Sequence, residues 1–352
     1  MADILGVGMT HFPGLVGTDV RGGASLARVL KHNRRIPADK KDPRSWPETM
    51  RQEFGEDEGF TAAIAHRQRL VAGFRKLRAE IDAFKPDFLV IWGDDQYENF
   101  QEDIIPPFCV LAWDDIACQP LKRRPSNPWG EPPETVFRYT GCPKEGRYLT
   151  SKLLEHGIDM AYAYKPLHEE DGLGHAFVNT LLFLDYDRTG LPYPVLPFQV
   201  NCYGSKVIRN HGGSEEYTTE PDPPGPSPKR CMEVGAATAR ALQATPWRVA
   251  LIASSSWSHA FLTEKTCWLH PDMEADRARF AELRNADWDA WRRLTTDQIE
   301  ASGQQEMLNW FCLAGAMEAL GRKPEIVDWV ESWTNNSNKC LALFRACRIN
   351  AH

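Results

Sequence analysis

A long amphipathic segment that runs directly into a short apolar one most constrains the fold of this chain. Residues 61–84 place apolar side chains at helical spacing, which predicts a helix that ends before Pro86. The apolar run FLVIW, residues 88–92, follows at once and stops at the polar stretch GDDQ, residues 93–96. A helix that leads into a buried strand is a repeating unit of α/β folds, and the loops at strand ends carry most functional side chains.

Short apolar runs alternate with amphipathic stretches along the rest of the chain. This pattern predicts an α/β fold in one domain, residues 1–352, with a central mostly parallel or mixed sheet flanked by helices. Strands are predicted at residues 4–9, 88–92, 108–113, 160–164, 194–200 and 248–253. Helices are predicted at residues 61–84, 148–156, 175–184, 230–244, 273–284, 304–320 and 324–332. Two polar, proline-bearing stretches, near residues 31–58 and 212–229, are predicted to be loop insertions.

Composition and charge exclude several classes of partner. The chain has 352 residues, 42% of them hydrophobic, and a net charge of −7, which argues against binding to nucleic acid phosphates. No stretch reaches the roughly 18–20 consecutive apolar residues of a membrane span, and the N-terminus lacks the pattern of a signal peptide. Nine cysteines without a CxxC pair indicate free thiols. We therefore expect a cytoplasmic protein with neither nucleic acid nor membrane as a partner.

Residues capable of chemistry follow three of the predicted strands. His11 follows the first strand, the DDQ cluster follows the run FLVIW, and His259 comes after the strand at 248–253 and three serines. His175 begins an apolar helix, where the positive end of the helix dipole disfavours an imidazolium ion. Singly, each residue also suits a turn or a helix cap. Their recurrence at strand ends predicts one shared cleft.

Motifs of other reaction classes are missing from the sequence. No GxGxxG follows a strand, and there is no GxxxxGK[ST], HExxH or GxSxG. These absences leave a Rossmann cofactor, a P-loop nucleotide site, a zinc protease site and an α/β-hydrolase serine unsupported.

Six motifs together resemble one enzyme family. They are GVGMTHFPGL, PDFLVIWGDDQYENFQEDIIPPFCV, HAFVNTLLFL, VLPFQVNCYG, SSWSHAFL and SGQQEMLNWF. Their order and rough spacing are similar to those of the class III extradiol ring-cleavage dioxygenases, the superfamily of the protocatechuate 4,5-dioxygenase catalytic subunit, from residue 4 to about residue 333. The resemblance implies a single α/β domain that opens a catecholic ring with O₂. It also implies a non-haem Fe(II) held by two histidines and one glutamate.

The resemblance identifies one metal ligand clearly, a second with a competing candidate, and a third position where the expected residue is replaced. His11 matches the first iron histidine, and Glu274, in HPDMEADRARF, is the best match for the glutamate, with Asp272 as a competing choice. The family's second iron histidine follows an aspartate. In this chain Asp95 takes the place of that aspartate, and Gln96 stands where the histidine is expected.

The resemblance also implies roles around the metal. His259 matches the histidine that acts as general base and acid, and His175 matches a pocket histidine that contacts substrate or bound oxygen. Asn201 and Tyr203 are predicted to line the pocket and Trp257 to stack near the substrate ring, although each also suits ordinary packing.

The glutamine leaves three possibilities for the metal. Asp94 or Asp95 supplies an oxygen ligand in place of the missing histidine, or Gln96 itself ligates weakly, or no metal is bound and the histidines carry out proton-transfer or hydrolytic chemistry. Fe(II) is therefore the expected cofactor, with another divalent metal or none as alternatives.

The leading functional hypothesis is a ring-cleaving dioxygenase that acts on a catecholic or hydroxylated aromatic compound, with a small aromatic substrate and O₂ as its partners. The alternatives are a metal-independent or differently metallated hydrolase or lyase of the same fold, and a non-catalytic binding paralogue. We also expect a homo-oligomer and allow for a small partner subunit.

Overall fold

The computed structural model describes residues 3–18, 26–124, 126–168, 172–205 and 220–345. Its strands are β1 (Asp3–Met9), β2 (Phe88–Asp94), β3 (Phe108–Leu111), β4 (Asp115–Cys118), β5 (Phe137–Thr140), β6 (Ala161–Ala163), β7 (Val195–Val200), β8 (Arg248–Ser254), β9 (Glu325–Val330) and β10 (Lys339–Phe344). Its α-helices are α1 (Leu26–His32), α2 (Glu48–Phe54), α3 (Phe60–Phe84), α4 (Pro143–Glu155), α5 (His175–Leu184), α6 (Pro228–Gln243), α7 (Met273–Asn285), α8 (Trp288–Arg292), α9 (Thr296–Ala301) and α10 (Leu308–Ala319).

One eight-stranded mixed sheet, in the order β6-β3-β7-β2-β8-β1-β10-β9, organises the chain. The central strands β7, β2, β8 and β1 are parallel to one another. On either side of them, β3 runs antiparallel to β7, and β10 runs antiparallel to β1 and β9. Strands β4 and β5 form a separate two-stranded ribbon. The predicted α/β class with a mixed central sheet is confirmed.

The sheet is buried on both faces, and β2 shows how its sequence achieves this. Alternate side chains point to opposite faces of a strand. Phe88, Val90 and Trp92 therefore join the hydrophobic cluster beneath α4, α6, α8 and α10. Leu89 and Ile91 join the cluster on the other face, beneath α3 and α5. A continuous apolar run is what a doubly covered parallel strand requires.

Two glycines bring α6 and α10 into close contact. A Cβ atom at Gly235 would lie 1.7 Å from the carbonyl oxygen of Cys312, and one at Gly315 would lie 2.0 Å from that of Met232. No other residue type would allow the two backbones this separation. The contact fixes α10 and, with it, the 3₁₀ turn Gln305–Met307 that leads into the helix.

The predicted helix at residues 324–332 is wrong, because most of this segment forms strand β9. Its sequence EIVDWV is rich in β-branched and aromatic residues, and it pairs with β10, a strand that the sequence pattern did not predict. Pairing with a neighbouring strand outweighed the short apolar spacing that suggested a helix.

The first predicted insertion, near 31–58, contains short helices as well as loops. Trp46 and Met50 are buried in a small cluster that includes Leu269, which gives this polar segment an apolar anchor. Of the second insertion, residues 212–219 lie outside the described residues, and α6 begins at Pro228. Among the helices of the described ranges, none has the length and apolarity needed to cross a bilayer.

Candidate metal centre

The carboxyl ends of three parallel strands place the candidate site at one edge of the sheet. His11 lies two residues beyond β1, Asp94 is the last residue of β2, and Ser254 is the last residue of β8. The register holds these ends level, because Met9 lies opposite Ser254 in the parallel pair β1–β8. His175, the first residue of α5, joins this group from one of the helices that cover a face of the sheet.

His11, Asp94 and His175 form a cluster that could hold a metal ion. One ligand atom from each lies within 4.8 Å of those of the other two. His11 Nε2 is 3.9 Å from Asp94 Oδ1, and the two imidazole rings stand perpendicular with their centroids 5.0 Å apart. Two imidazoles and one carboxylate are the donor set of many non-haem iron sites.

Main-chain contacts fix the orientation and tautomer of His11. Its Nδ1–H donates to the carbonyl oxygen of Ser254 at 3.1 Å, so the lone pair of Nε2 points into the cluster. Asn179 donates to the carbonyl of His11 at 3.0 Å. Burial, reinforced by the neighbouring His175 and His259, lowers the pKa of His11 well below its usual value. His11 is therefore neutral, the form that binds metals.

Asp94 is a buried carboxylate with one oxygen held and one unpaired. Asn309 donates to Oδ1 at 3.1 Å and to the Ser254 carbonyl at 3.2 Å, which ties Asp94 to the end of β8. Among the described residues, Oδ2 has no hydrogen-bond partner. Burial raises the pKa of Asp94 to about 7. An unpaired buried oxygen is costly unless a cation or proton satisfies it.

Glu98 anchors His175 by two contacts to a single oxygen. Its Oε1 accepts a hydrogen bond from His175 Nδ1 at 2.8 Å and another from the main-chain N–H of His175 at 2.9 Å. Burial alone would lower the pKa of His175, but the charges of Glu98, Asp94 and Glu306 raise it to about 10. In the metal-free protein this imidazolium is thus the positive charge that balances the buried acids.

Glu306 connects His11 with His259. It lies in the 3₁₀ turn before α10, where its Oε1 accepts a hydrogen bond from the hydroxyl of Tyr203 and lies 3.3 Å from His259 Nε2. Its Oε2 is 3.5 Å from His11 Nε2 and has no hydrogen-bond partner within the described part of the chain. Glu306 is therefore a second carboxylate at the cluster and a neighbour through which protons can move.

The electrostatics of His259 and Glu306 favour a neutral imidazole at His259. Burial and the charge of Lys339 lower the pKa of His259 to about 3. Burial and the nearby Asp94 raise the pKa of Glu306 well above its usual value. At neutral pH the imidazole of His259 is therefore unprotonated.

The structure places Glu274 outside this cluster. Its side chain is 91% exposed in the first turn of α7, where it lies 3.8 Å from Lys265 Nζ. The competing candidate Asp272 caps the same helix by accepting a hydrogen bond from the N–H of Ala275, and it pairs with Lys265 at 2.8 Å. Both acids therefore make local contacts at the start of this helix.

Asp95 is not a member of the three-residue cluster. The carboxylate of Asp95 turns back to accept hydrogen bonds from the main-chain N–H groups of Glu98, Asn99 and Phe100 at 2.8–3.2 Å. Asp95 therefore stabilises the turn after β2. Gln96 is half-buried in that turn. The cluster uses Asp94 instead, the last residue of the strand.

The predicted substrate-contacting residues have different surroundings. Trp257 is fully buried and packs against Trp310 and Trp329, with ring centroids 5.6 and 4.7 Å away, which is a core position. Asn201 is buried directly after β7, at the same sheet edge as the cluster. Tyr203 reaches the cluster through its hydrogen bond to Glu306.

Sequence reasoning did not select Glu306 or Glu98, although both lie within quoted motifs. The sequence does contain a pattern that could have identified Glu306. This acid stands two residues before the very apolar helix segment LNWFCLAGAM, where its carboxylate is expected to be buried. Glu98 carries no comparable local signal, because its partner His175 is 77 residues away in sequence.

Comparisons with known proteins match parts of this chain to ring-opening dioxygenases. Residues 222–337 match the family model described as "Catalytic LigB subunit of aromatic ring-opening dioxygenase". A 2,3-dihydroxyphenylpropionate/2,3-dihydroxicinnamic acid 1,2-dioxygenase of Comamonas testosteroni is 25% identical over 226 residues, covering 64% of this chain and 58% of that protein. A Pseudomonas putida protein of the same name, numbered 2, is 28% identical over 187 residues, covering 53% and 47%.

The similarity is partial in length. A Rhodococcus jostii protein of the same name is 25% identical over 189 residues, again covering about half of each chain, 53% and 48%. Among solved structures, the uncharacterized protein JW3007 of Escherichia coli K12 superposes with a TM-score of 0.46 at 13% identity, covering 79% of this chain and 92% of that one, a likeness too weak to support an inference. Over part of its length the chain is therefore similar to the LigB catalytic subunit family and, at 25–28% identity, to proteins named as ring-opening dioxygenases of this kind, of whose own length it covers 47–58%.

Proposed function

We propose that this protein is a dioxygenase that opens a catecholic or hydroxylated aromatic ring with O₂, using Fe(II) held by His11, His175 and Asp94. The observation that carries this proposal is the buried group of two imidazoles and one carboxylate in a chain with a LigB family domain. Three protein ligands leave positions open for substrate and O₂.

The chemistry of the donor set fits a divalent iron. The neutral His11 offers the lone pair of Nε2, and Asp94 Oδ2 and Glu306 Oε2 are buried oxygens without hydrogen-bond partners among the residues described. A divalent cation would neutralise both carboxylates, which the single charge of a protonated His175 offsets only in part. Bound Fe(II) would supply the Lewis acidity and the electron-transfer chemistry that the reaction of O₂ with a catechol requires.

His259 is the group that this proposal assigns to proton transfer. Its neutral imidazole would accept the proton of a substrate hydroxyl, and Glu306, 3.3 Å from Nε2, is the partner with which it exchanges that proton. The hydroxyl of Tyr203 orients Glu306. Because these groups are buried, water does not compete for the proton once the substrate is bound.

Three positioning residues hold the ligands. Ser254 sets the tautomer of His11 through its carbonyl, Asn309 holds Asp94, and Glu98 holds His175. Such partners of metal ligands commonly change metal affinity or activity about 10–100-fold when removed.

Oxygen uptake by the Fe(II)-loaded protein tests the proposal. The protein is loaded under anaerobic conditions and mixed with a panel of catechols that includes 2,3-dihydroxyphenylpropionate, because the curated relatives are named for that compound. We expect one O₂ consumed per substrate and a coloured ring-opened product, with activity lost in chelator and restored by Fe(II). Asp94→Asn should abolish turnover, and Glu274→Gln should retain it.

Two results would contradict the proposal. An iron-loaded protein that consumes no O₂ with any member of the panel would refute ring opening. Activity towards ester or lyase substrates that persists unchanged in chelator would favour the metal-independent hydrolase or lyase instead.

A further inference from the structure

Lys339, the first residue of β10, has a completely buried side chain. Its ammonium donates to the main-chain carbonyls of Asn335, at 3.0 Å, and Ser337. It also lies over the ring of Phe12, 3.9 Å from the ring centroid. Two carbonyls and one aromatic face account for its three N–H donors.

The turn that Lys339 holds, residues 331–338, is also the main-chain partner of the segment that carries His259. Ser337 pairs with His259 in an isolated β-bridge. The N–H of Ala260 donates to the carbonyl of Asn336 at 2.7 Å. This turn therefore helps to set the position of His259, together with Gly303, whose carbonyl accepts a hydrogen bond from the N–H of His259 at 2.8 Å.

The other contact of the ammonium leads to the cluster. Phe12 directly follows His11, and its ring lies under the Lys339 ammonium. One buried side chain thus touches both the turn behind His259 and the residue next to His11, and these two histidines are 248 positions apart in sequence.

A carboxylate holds the same turn from the other side. Glu53, in α2, accepts hydrogen bonds from the hydroxyls of Ser332 at 2.6 Å and Thr334 at 2.7 Å, and from the N–H of Trp333 at 2.9 Å. The turn is therefore fixed between Glu53 and Lys339. An apolar side chain of similar length would fill the space of Lys339 without the cost of burying an amine group, so packing alone does not account for a lysine at this position.

We propose that Lys339 is a positioning residue for the reaction, which fixes His259 relative to His11 by holding the turn 331–338 against Phe12. The proposal rests on the proposed function, because it assigns the two histidines their roles as base and metal ligand. Its geometric basis, the three contacts of one buried ammonium, does not depend on the substrate.

Lys339→Met removes the ammonium and keeps the length of the side chain. We expect kcat to fall about 100-fold, the size of effect that a displacement of about 1 Å produces, while KM and the Fe(II) content stay unchanged. Leu341→Met, two residues along the same strand, is the matched control and should keep the wild-type kcat. A crystal structure of Lys339→Met should show the turn 331–338 displaced and the contact between His259 Nε2 and Glu306 Oε1 opened beyond its 3.3 Å.

Two results would overturn the assignment. One is a Lys339→Met protein with wild-type kcat and an unmoved turn. The other is a parallel fall in kcat, Fe(II) content and thermal stability, which would identify a general structural role. If Lys339→Met does not fold, Phe12→Leu removes the ring beneath the ammonium and should lower kcat in the same direction, and a wild-type kcat in that variant would also overturn it. The crystallographic comparison needs no activity, so it separates this proposal from the proposed function, which is tested by the O₂ consumption of the wild-type protein.

Discussion

The buried ammonium of Lys339 predicts an unusual dependence of stability on pH. Burial lowers its pKa from 10.5 to about 7, although Glu53 and Asp276 act to raise it. Between these two values the unfolded chain keeps a proton that the folded protein has released, so the free energy of unfolding rises with pH. The difference between these two pKa values raises the free energy of unfolding by about 2 kcal/mol between pH 7 and pH 9, since one pKa unit corresponds to about 1.4 kcal/mol.

The assay compares the wild-type protein with Lys339→Met in metal-free buffer. Denaturant unfolding at pH 7, 8 and 9 gives the free energy of unfolding of each, and the difference isolates Lys339 because all other groups titrate in both proteins. We expect the methionine variant to be the more stable at pH 7 and to lose about 2 kcal/mol of that advantage by pH 9. A difference that stays constant over this range would refute the reasoning, because it would mean that the lysine does not release its proton on folding.

Three further predictions concern the site and the packing behind it. Glu98→Gln keeps an acceptor oxygen but removes the charge opposite His175, so Fe(II) affinity measured by equilibrium titration should fall about 10–100-fold, and an unchanged affinity would remove Glu98 from the account. His259→Gln should lower kcat by about 10²–10⁴ with unchanged Fe(II) content, whereas equal losses of both would make it a ligand instead of a base. Gly235→Ala should cost about 1–3 kcal/mol in denaturant unfolding, because its Cβ would collide with the backbone of the neighbouring helix. Gly17→Ala is its control, since an added Cβ there meets no atom of the described residues within 4 Å.

The sequence predicted the elements whose signal is local. The apolar run of β2 and the long helix before it are both present, because a doubly buried strand and an amphipathic helix each impose their own periodicity. The segment at 324–332 was assigned to the wrong class because its partner strand, β10, supplies the hydrogen bonds that make it a strand. A pairing of this kind is invisible to a window of local sequence.

The candidate site shows the same difference between residues that a local sequence signal identifies and residues that depend on contacts between distant segments. The histidines at strand and helix ends were found because position alone suggested them, and the structure brings His11, His175 and His259 into one region. The carboxylates were harder to assign. Asp94 and Asp95 are adjacent in sequence, but one ends the strand at the cluster and the other turns back to bind main-chain N–H groups. Only the three-dimensional direction of each side chain separates these two roles.

Metal binding by four forms of the protein tests the central claim most directly. Anaerobic Fe(II) titration followed by metal analysis is applied to the wild-type protein, Asp94→Asn, Gln96→Ala and Glu274→Gln. We predict one Fe(II) per chain in the wild-type, Gln96→Ala and Glu274→Gln proteins, and an affinity more than about 100-fold weaker in Asp94→Asn, a larger loss than removal of an outer partner causes. Full binding by Asp94→Asn, or its loss in Gln96→Ala or Glu274→Gln, would contradict a site built from His11, Asp94 and His175.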